Sequence, residues 1–158
     1  MTRQYSKGFS IVEVLVSMVI LSVGVLALSV LQLSSLQNTQ GGHMRSQATL
    51  LAYDIVDAMR ANVPGVVNGN YRMALGSDIP QAVNCYGMEA NCLPNDLATS
   101  DLNRWRTVLA TYLPGGTGQI VTNAAGGAIA TATVTVQWLD PYSAEDGPEQ
   151  VVLQAAIR

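Results

Sequence analysis

A long apolar run near the start of the chain predicts a helix of membrane length. Residues 9–31 are apolar apart from small polar side chains and one charge, Glu13. A helix needs about 20 apolar residues to cross a bilayer, so this run is long enough. No proline lies between Phe9 and Asn62, which predicts a single helix over that stretch, with the pair Gly41-Gly42 as a weak point.

The second half of this predicted helix is amphipathic. Apolar residues recur at helical spacing and form one stripe, which consists of Met44, Ala48, Leu51, Ile55 and Met59. Pro64-Gly65 predicts that the helix ends near Asn62. The stripe indicates that this half of the helix packs on another element of the protein.

The last third of the chain predicts a small antiparallel sheet. Residues 130–139 and 151–158 follow a period of two, which is typical of half-buried strands. We expect these two runs to pair as an antiparallel hairpin, with 120–122 as a short third strand. One face of this sheet would then cover the apolar stripe of the long helix.

A second, shorter helix is predicted before the sheet. Trp105 and Leu109 follow helical spacing, and Pro114 ends the pattern. Either Asn95 or Ser100 is a candidate N-cap for this helix. We expect Trp105 to be a core residue under the sheet, with an interface anchor as the alternative.

Glycines and prolines interrupt residues 63–94, which are therefore predicted to be irregular. Together these patterns predict an α+β fold. It consists of a long N-terminal α-helix packed on a small antiparallel β-sheet head, with a second short helix.

Composition narrows the class of protein. Hydrophobic residues make up 49% of the 158 residues and charged residues only 12%, whereas charged residues make up about 25% of soluble domains. The net charge is −3, and no Lys/Arg run suggests nucleic-acid binding. The sequence contains no catalytic motif, so we expect neither an enzyme nor a cofactor.

The charges and cysteines indicate an exported body. Arg3 and Lys7 precede the apolar run, and the positive-inside rule places them in the cytoplasm. Cys85 and Cys92 then lie in an oxidising compartment, where we expect them to form a disulfide that closes a short loop. A zinc site is disfavoured because the single histidine, His43, is far from both cysteines in the sequence.

The loop between the two final strands is acidic. It contains Asp140, Glu145, Asp146 and Glu149. Calcium takes six to eight oxygen ligands, which makes this loop a weak candidate calcium site. A solvated acidic turn is the main expectation, because prolines and a glycine in the same loop are typical turn residues.

A specific motif stands at the start of the apolar run, with the sequence Lys7-Gly8-Phe9-Ser10-Ile11-Val12-Glu13. A carboxylate in hydrocarbon costs a few kcal/mol and indicates a function or a partner. A basic leader, a glycine, a phenylalanine and this glutamate together resemble the processing site of type IV prepilins and of the related pseudopilins of type II secretion. An ordinary signal anchor with a chance glutamate is the alternative.

The resemblance implies roles for three residues. A prepilin peptidase would cut between Gly8 and Phe9 and methylate the new amino terminus of Phe9. Glu13 would match the fifth mature residue of the family, which supports methylation and pairs with the terminal amine of a neighbouring subunit. Among apolar helices, the ammonium of Phe9 and the carboxylate of Glu13 would each be an unpaired charge if separated, so their pairing would fix the register of assembly.

Further local patterns are similar to minor pilins of the PilV type. They are Asp101-Leu102-x-x-Trp105 followed by Leu113-Pro114-Gly115-Gly116, and Arg45-Ser46-Gln47-Ala48 followed by Ala52-Tyr53-Asp54 and Met59-Arg60-Ala61-Asn62. The resemblance implies a leader over 1–8, a transmembrane or filament-core half of the helix over 9–31, and a periplasmic head over 32–158. It also implies that residues 63–94 contact neighbouring subunits.

The function implied by the resemblance is that of a minor pilin, which primes assembly of the type IV pilus and is incorporated into it. The implied partners are other minor pilins, the major pilin, prepilin peptidase and the assembly machinery of the inner membrane. The protein would cross the bacterial inner membrane once, with its head in the periplasm, and then enter the pilus at or near its tip. The alternatives are a minor pseudopilin of type II secretion and a membrane-anchored adhesin or sensor domain that does not polymerise.

Overall fold

The computed structural model describes residues 8, 10–85, 91–124, 130–142 and 147–158. The predictions made for Phe9, for residues 1–7 and for Glu145 and Asp146 lie outside the described residues. Contacts divide the chain into two compact units, Met1–Gln40 and Gly41–Arg158.

The first element, α1, is a helix over Ile11–Ala61. The pair Gly41-Gly42 is helical, so the expected weak point does not interrupt it. The end of α1 at Ala61 confirms the boundary predicted near Asn62.

A one-turn helix, α2, covers Val63–Val67, where the sequence predicted irregular chain. The prediction was wrong because Pro64 lies in the first turn of α2, where a proline costs no hydrogen bond and has a suitable φ. The side-chain oxygen of Asn62 accepts a hydrogen bond from the amide of Gly65 and caps this turn.

The next helix, α3, covers Pro94–Tyr112. Its N-cap is Leu93, which makes no side-chain cap hydrogen bond, so both candidate caps, Asn95 and Ser100, were wrong. Pro94 at the first helical position explains the earlier start, because it has no N–H to satisfy there.

The sheet contains β1 (Thr117–Ala124), β2 (Ala130–Trp138) and β3 (Glu149–Ile157). The order is β1-β2-β3 and both pairs are antiparallel. The predicted hairpin is therefore confirmed, and β1 is longer than the short strand expected over 120–122. A long helix, a small antiparallel sheet and a further short helix confirm the α+β fold class.

The core lies between the sheet and the helices of the unit Gly41–Arg158. The stripe of α1 faces it, with Ala48, Ile55 and Met59 fully buried and Met44 and Leu51 partly buried. The inner row of β2, Ala132, Val134 and Val136, is also fully buried. This burial agrees with the amphipathic pattern of the sequence, since the apolar side chains of each element face the same cluster.

Trp105 occupies the centre of this core, as expected. It is 0% exposed, and its indole Nε1 donates a hydrogen bond of 2.8 Å to the carbonyl oxygen of Leu51 in α1. Its ring lies against Gly118 of β1, where a Cβ atom would overlap the ring. The absence of a side chain at Gly118 therefore allows α3 to approach the sheet.

We predict that Gly118→Ala destabilises the fold by about 1–3 kcal/mol, because the added methyl group overpacks the core beside Trp105. Gly42→Ala is the matched control. A Cβ at Gly42 meets nothing within 4 Å, and alanine favours a helix more than glycine does. Denaturant unfolding of both variants in detergent micelles tests this prediction, and equal loss of stability in the two would contradict it.

Candidate functional site

The N-terminal motif lies at the first turn of α1. Ser10 precedes the helix, and its carbonyl oxygen accepts hydrogen bonds from the amides of Glu13 at 3.0 Å and Val14 at 3.3 Å. Its side-chain oxygen accepts from the amide of Val12 at 3.4 Å. Glu13 is in the first turn, where the helix dipole favours a carboxylate.

Glu13 is exposed in the single chain. Because Phe9 lies outside the described residues, the pairing of its amine with Glu13 stays a prediction. The structure shows only that the carboxylate of Glu13 belongs to the surface of the helix and is accessible to a partner.

The apolar half of α1 exposes a continuous hydrophobic surface. Every Val, Leu, Ile and Met side chain over 11–36 is between 47% and 80% exposed in the single chain. This helix is long and apolar enough to cross a membrane. Such a surface requires lipid or other apolar helices around it, since exposed apolar patches of this size mark interaction sites.

The serines within this half are compatible with an apolar environment. The hydroxyl groups of Ser17, Ser22 and Ser29 each donate to a carbonyl oxygen one turn earlier in α1, at 2.8 to 2.9 Å. Their hydrogen-bonding groups are thus satisfied within the helix. Their small size would also let helices approach closely in lipid.

In the unit Gly41–Arg158, a buried polar network joins the end of α1 to α3. The hydroxyl of Tyr71 donates to Asp101 Oδ2 at 2.6 Å, and Asn62 Nδ2 donates to the hydroxyl of Tyr71 at 3.2 Å. Asn62 Nδ2 also lies 2.7 Å from the carbonyl oxygen of Pro94. Asn62, Tyr71 and Asp101 are at most 5% exposed. This network could not be predicted from the sequence, because its members are far apart along the chain.

The segment that follows Tyr71 is tied to β1. The amide of Met73 donates to the carbonyl oxygen of Ile120 at 3.1 Å, and the amide of Ile120 donates back at 2.9 Å. Arg72 donates to the hydroxyl oxygen of Thr122 at 3.1 Å. Residues predicted to be irregular are therefore fixed against the sheet by backbone hydrogen bonds.

The same segment is also tied to α3. Arg106 Nη2 donates to the carbonyl oxygen of Ser77 at 3.1 Å, and Asn103 Nδ2 donates to that of Pro80 at 2.6 Å. Arg106 is 7% exposed, and burial lowers the pKa of its guanidinium. The partners shown for this guanidinium are carbonyl oxygens, so it holds the loop through hydrogen bonds to the backbone.

The structure joins Cys85 to Cys92 by a disulfide, with 5.9 Å between their Cα atoms. Cys92 directly precedes the N-cap of α3. The bond therefore ties the far end of the loop to the start of that helix, and this geometry fits the export expected from the sequence.

Two of the candidate calcium residues, Asp140 and Glu149, lie in the described part of the chain. Asp140 Oδ1 accepts a hydrogen bond from the amide of Tyr142 at 2.9 Å, which is turn chemistry. Glu149 lies in β3, opposite Trp138. The described residues contain no group of three or more His, Cys, Asp or Glu side chains able to hold a metal ion. His43 is exposed on α1.

One comparison identifies the N-terminal segment. Residues 3–29 match the family model of the prokaryotic N-terminal methylation motif. This match supports a type IV pilin-like protein, a class that includes pseudopilins. No curated protein and no solved structure matches the chain.

The motif has consequences for the class of function. The family of this motif is structural rather than enzymatic. The motif indicates processing by prepilin peptidase in the context of pilus assembly. Together with the apolar part of α1, it suggests that the protein is anchored in a membrane.

We predict that Tyr71→Phe lowers the free energy of unfolding by about 1–3 kcal/mol, because Asp101 loses a buried hydrogen-bond donor. Tyr112→Phe is the matched control. Tyr112 is 60% exposed, so loss of its hydroxyl group should change the free energy of unfolding by less than about 0.5 kcal/mol. Denaturant unfolding in micelles measures both. A Tyr71→Phe variant as stable as the control would show that the network does not stabilise the head.

Proposed function

We propose that this protein is a minor pilin of the PilV type, which primes assembly of a type IV pilus and becomes part of it. The observation that carries the proposal is the methylation motif over 3–29, followed in the same helix by an exposed apolar surface. The α+β head and the local patterns similar to PilV-type minor pilins support the finer assignment.

In this proposal, residues 1–8 are a leader that prepilin peptidase removes. The peptidase cuts between Gly8 and Phe9 and methylates the amine of Phe9. Glu13 then pairs with the amine of a neighbouring subunit and sets the axial register, because either charge alone among apolar helices is strongly unfavourable. The position of Glu13 on the helix surface supports this role.

The apolar half, 9–31, has two environments in turn. It is first held in the inner membrane with the head, 32–158, in the periplasm, and it is then packed against other subunits in the filament. Leaving lipid costs little if the same surface is buried again among apolar helices. The exposed hydrophobic side chains of α1 support this exchange.

The proposed partners are other minor pilins, the major pilin, prepilin peptidase and the inner-membrane assembly machinery. On the head, residues 63–94 form the proposed contact surface with other subunits. The hydrogen bonds to β1 and α3 and the disulfide support this assignment, since they hold the described part of this segment in place and reduce the entropic cost of binding.

We predict that Gly8→Ala blocks cleavage, because the peptidase site loses its glycine. Mass spectrometry of the membrane-extracted protein should show residues 1–8 retained and no added methyl group, whereas the unchanged protein loses them and gains the methyl group. Gly24→Ala, within the apolar run, is a control that should be processed normally. An unchanged protein that keeps Met1 would contradict the proposal and would favour a membrane-anchored domain that does not polymerise.

We predict that Glu13→Ala leaves cleavage largely intact but reduces filament assembly or methylation, because the register contact is lost. Glu13→Asp keeps the charge and should retain part of the function. Surface pili and twitching motility are the readouts, with type II secretion measured alongside. Normal pili and full methylation in Glu13→Ala would contradict the role of Glu13. A loss of secretion with normal pili would identify a pseudopilin instead.

A further inference from the structure

The two edges of the sheet are different. The outer edge of β1 is covered, because Met73 exchanges two backbone hydrogen bonds with Ile120. At the other edge, β3 pairs with β2 on one side only. Within the described residues, no strand lies on its other side. In the described part of the chain, one edge is therefore covered at Ile120 and the other edge has no strand beside it.

Within the described residues, the edge of β3 lacks the usual protection against strand pairing. Residues 150–157 contain no charged residue, no proline and no glycine. All nine residues of β3 pair with β2 in continuous register, so β3 has no bulge. Soluble proteins protect their edge strands with lysines, prolines or bulges, and an edge without them is a template for another strand.

The inner face of β3 is incompletely covered. Its inward side chains Val151, Leu153 and Ala155 are only half-buried, whereas the inward residues of β2 are fully buried. A further strand beside β3 would add inward side chains next to this row and remove it from water. The outward residues are Gln150, Val152, Gln154 and Ala156, all exposed and uncharged.

The charges at the ends of β3 specify a complementary segment. Glu149 begins the strand and Arg158 follows it, with a neutral centre between them. An antiparallel segment that begins with an acid and ends with a base would place opposite charges together at both ends. A parallel segment with the same charge order would place like charges together.

A second copy of β3 has this charge order, but the pairing of two copies conflicts with the proposed function. The choice against a second copy therefore rests on that proposed function. Two β3 strands paired about a two-fold axis normal to the sheet would reverse the direction of α1 over 41–61 between the copies. Subunits anchored in one membrane or packed in one filament need their N-terminal helices parallel. The geometry therefore favours a segment from a different polypeptide.

We propose that the free edge of β3 receives an extended segment from a different subunit, antiparallel to β3. The segment has alternating apolar and uncharged polar residues, with an acid at its start and a base at its end. Main-chain hydrogen bonds provide the affinity, and the apolar side chains cover Val151, Leu153 and Ala155.

The test uses the full chain in detergent micelles and a fluorescent peptide with the sequence of Ala130–Trp138, preceded by Glu and followed by Lys. This sequence already pairs antiparallel with the other edge of β3. We expect saturable binding and slower amide hydrogen exchange over 149–157. A peptide with Lys first and Glu last should bind about tenfold more weakly, because the opposite-charge pairs at both ends become like-charge pairs.

Lysine substitutions locate the binding edge. Val152→Lys on β3 should weaken binding about tenfold, as expected for an edge-blocking charge. Val121→Lys is the matched control, because Val121 is an exposed valine on the outer face of the sheltered strand β1. The affinity of the Val121→Lys variant for the peptide should be within about twofold of that of the unchanged chain. Gln154→Lys replaces Val152→Lys if that variant does not show the normal unfolding transition.

Three results would overturn the proposal. They are no saturable binding, equal weakening by the β1 and β3 lysines, and slower exchange only outside β3. Sedimentation that shows a dimer of the full chain, dissociated by Val152→Lys, would assign the edge to a second copy instead. Peptide binding requires neither cleavage nor a filament, so a negative result here leaves the proposed function intact, and failure of the processing test leaves the peptide result interpretable.

Discussion

The apolar surface of the first half of α1 is the constraint on which the rest of this protein depends. Burial of one such aliphatic side chain contributes about 1.5–3 kcal/mol, and all of those over 11–36 are exposed in the single chain. A protein with this surface needs a bilayer or a bundle of similar helices at every stage. Glu13 is the one charged residue over 11–36, and a carboxylate in apolar surroundings requires a partner.

The unit Gly41–Arg158 has an apolar core of its own. Its apolar cluster joins the stripe of α1, the inner faces of the strands and Trp105. A buried network around Tyr71 and side-chain anchors from α3 then fix the segment between the helices. The core provides stability, and these polar contacts hold the described part of the segment against its neighbouring elements.

The sequence predicts those features that depend on local order. Periodicity was sufficient for α1, for the β2–β3 hairpin and for the core position of Trp105, because each pattern extends over many residues. Helix α2 and the start of α3 were missed, since Pro64 and Pro94 lie in the first turns of helices here, and proline ends a helix as readily as it begins one. In the candidate site, the motif from Gly8 to Glu13 was recognisable from its residue order. The pairing of Tyr71 with Asp101, 30 positions apart, follows only from the tertiary fold.

The anchors from α3 have a consequence for how this protein can diverge. Arg106 and Asn103 donate to the carbonyl oxygens of Ser77 and Pro80 and not to their side chains. Every amino acid supplies such an oxygen, so substitutions at these two positions keep the acceptors in place. The side chains at these two positions can therefore change while the hydrogen bonds that hold the backbone of the loop persist.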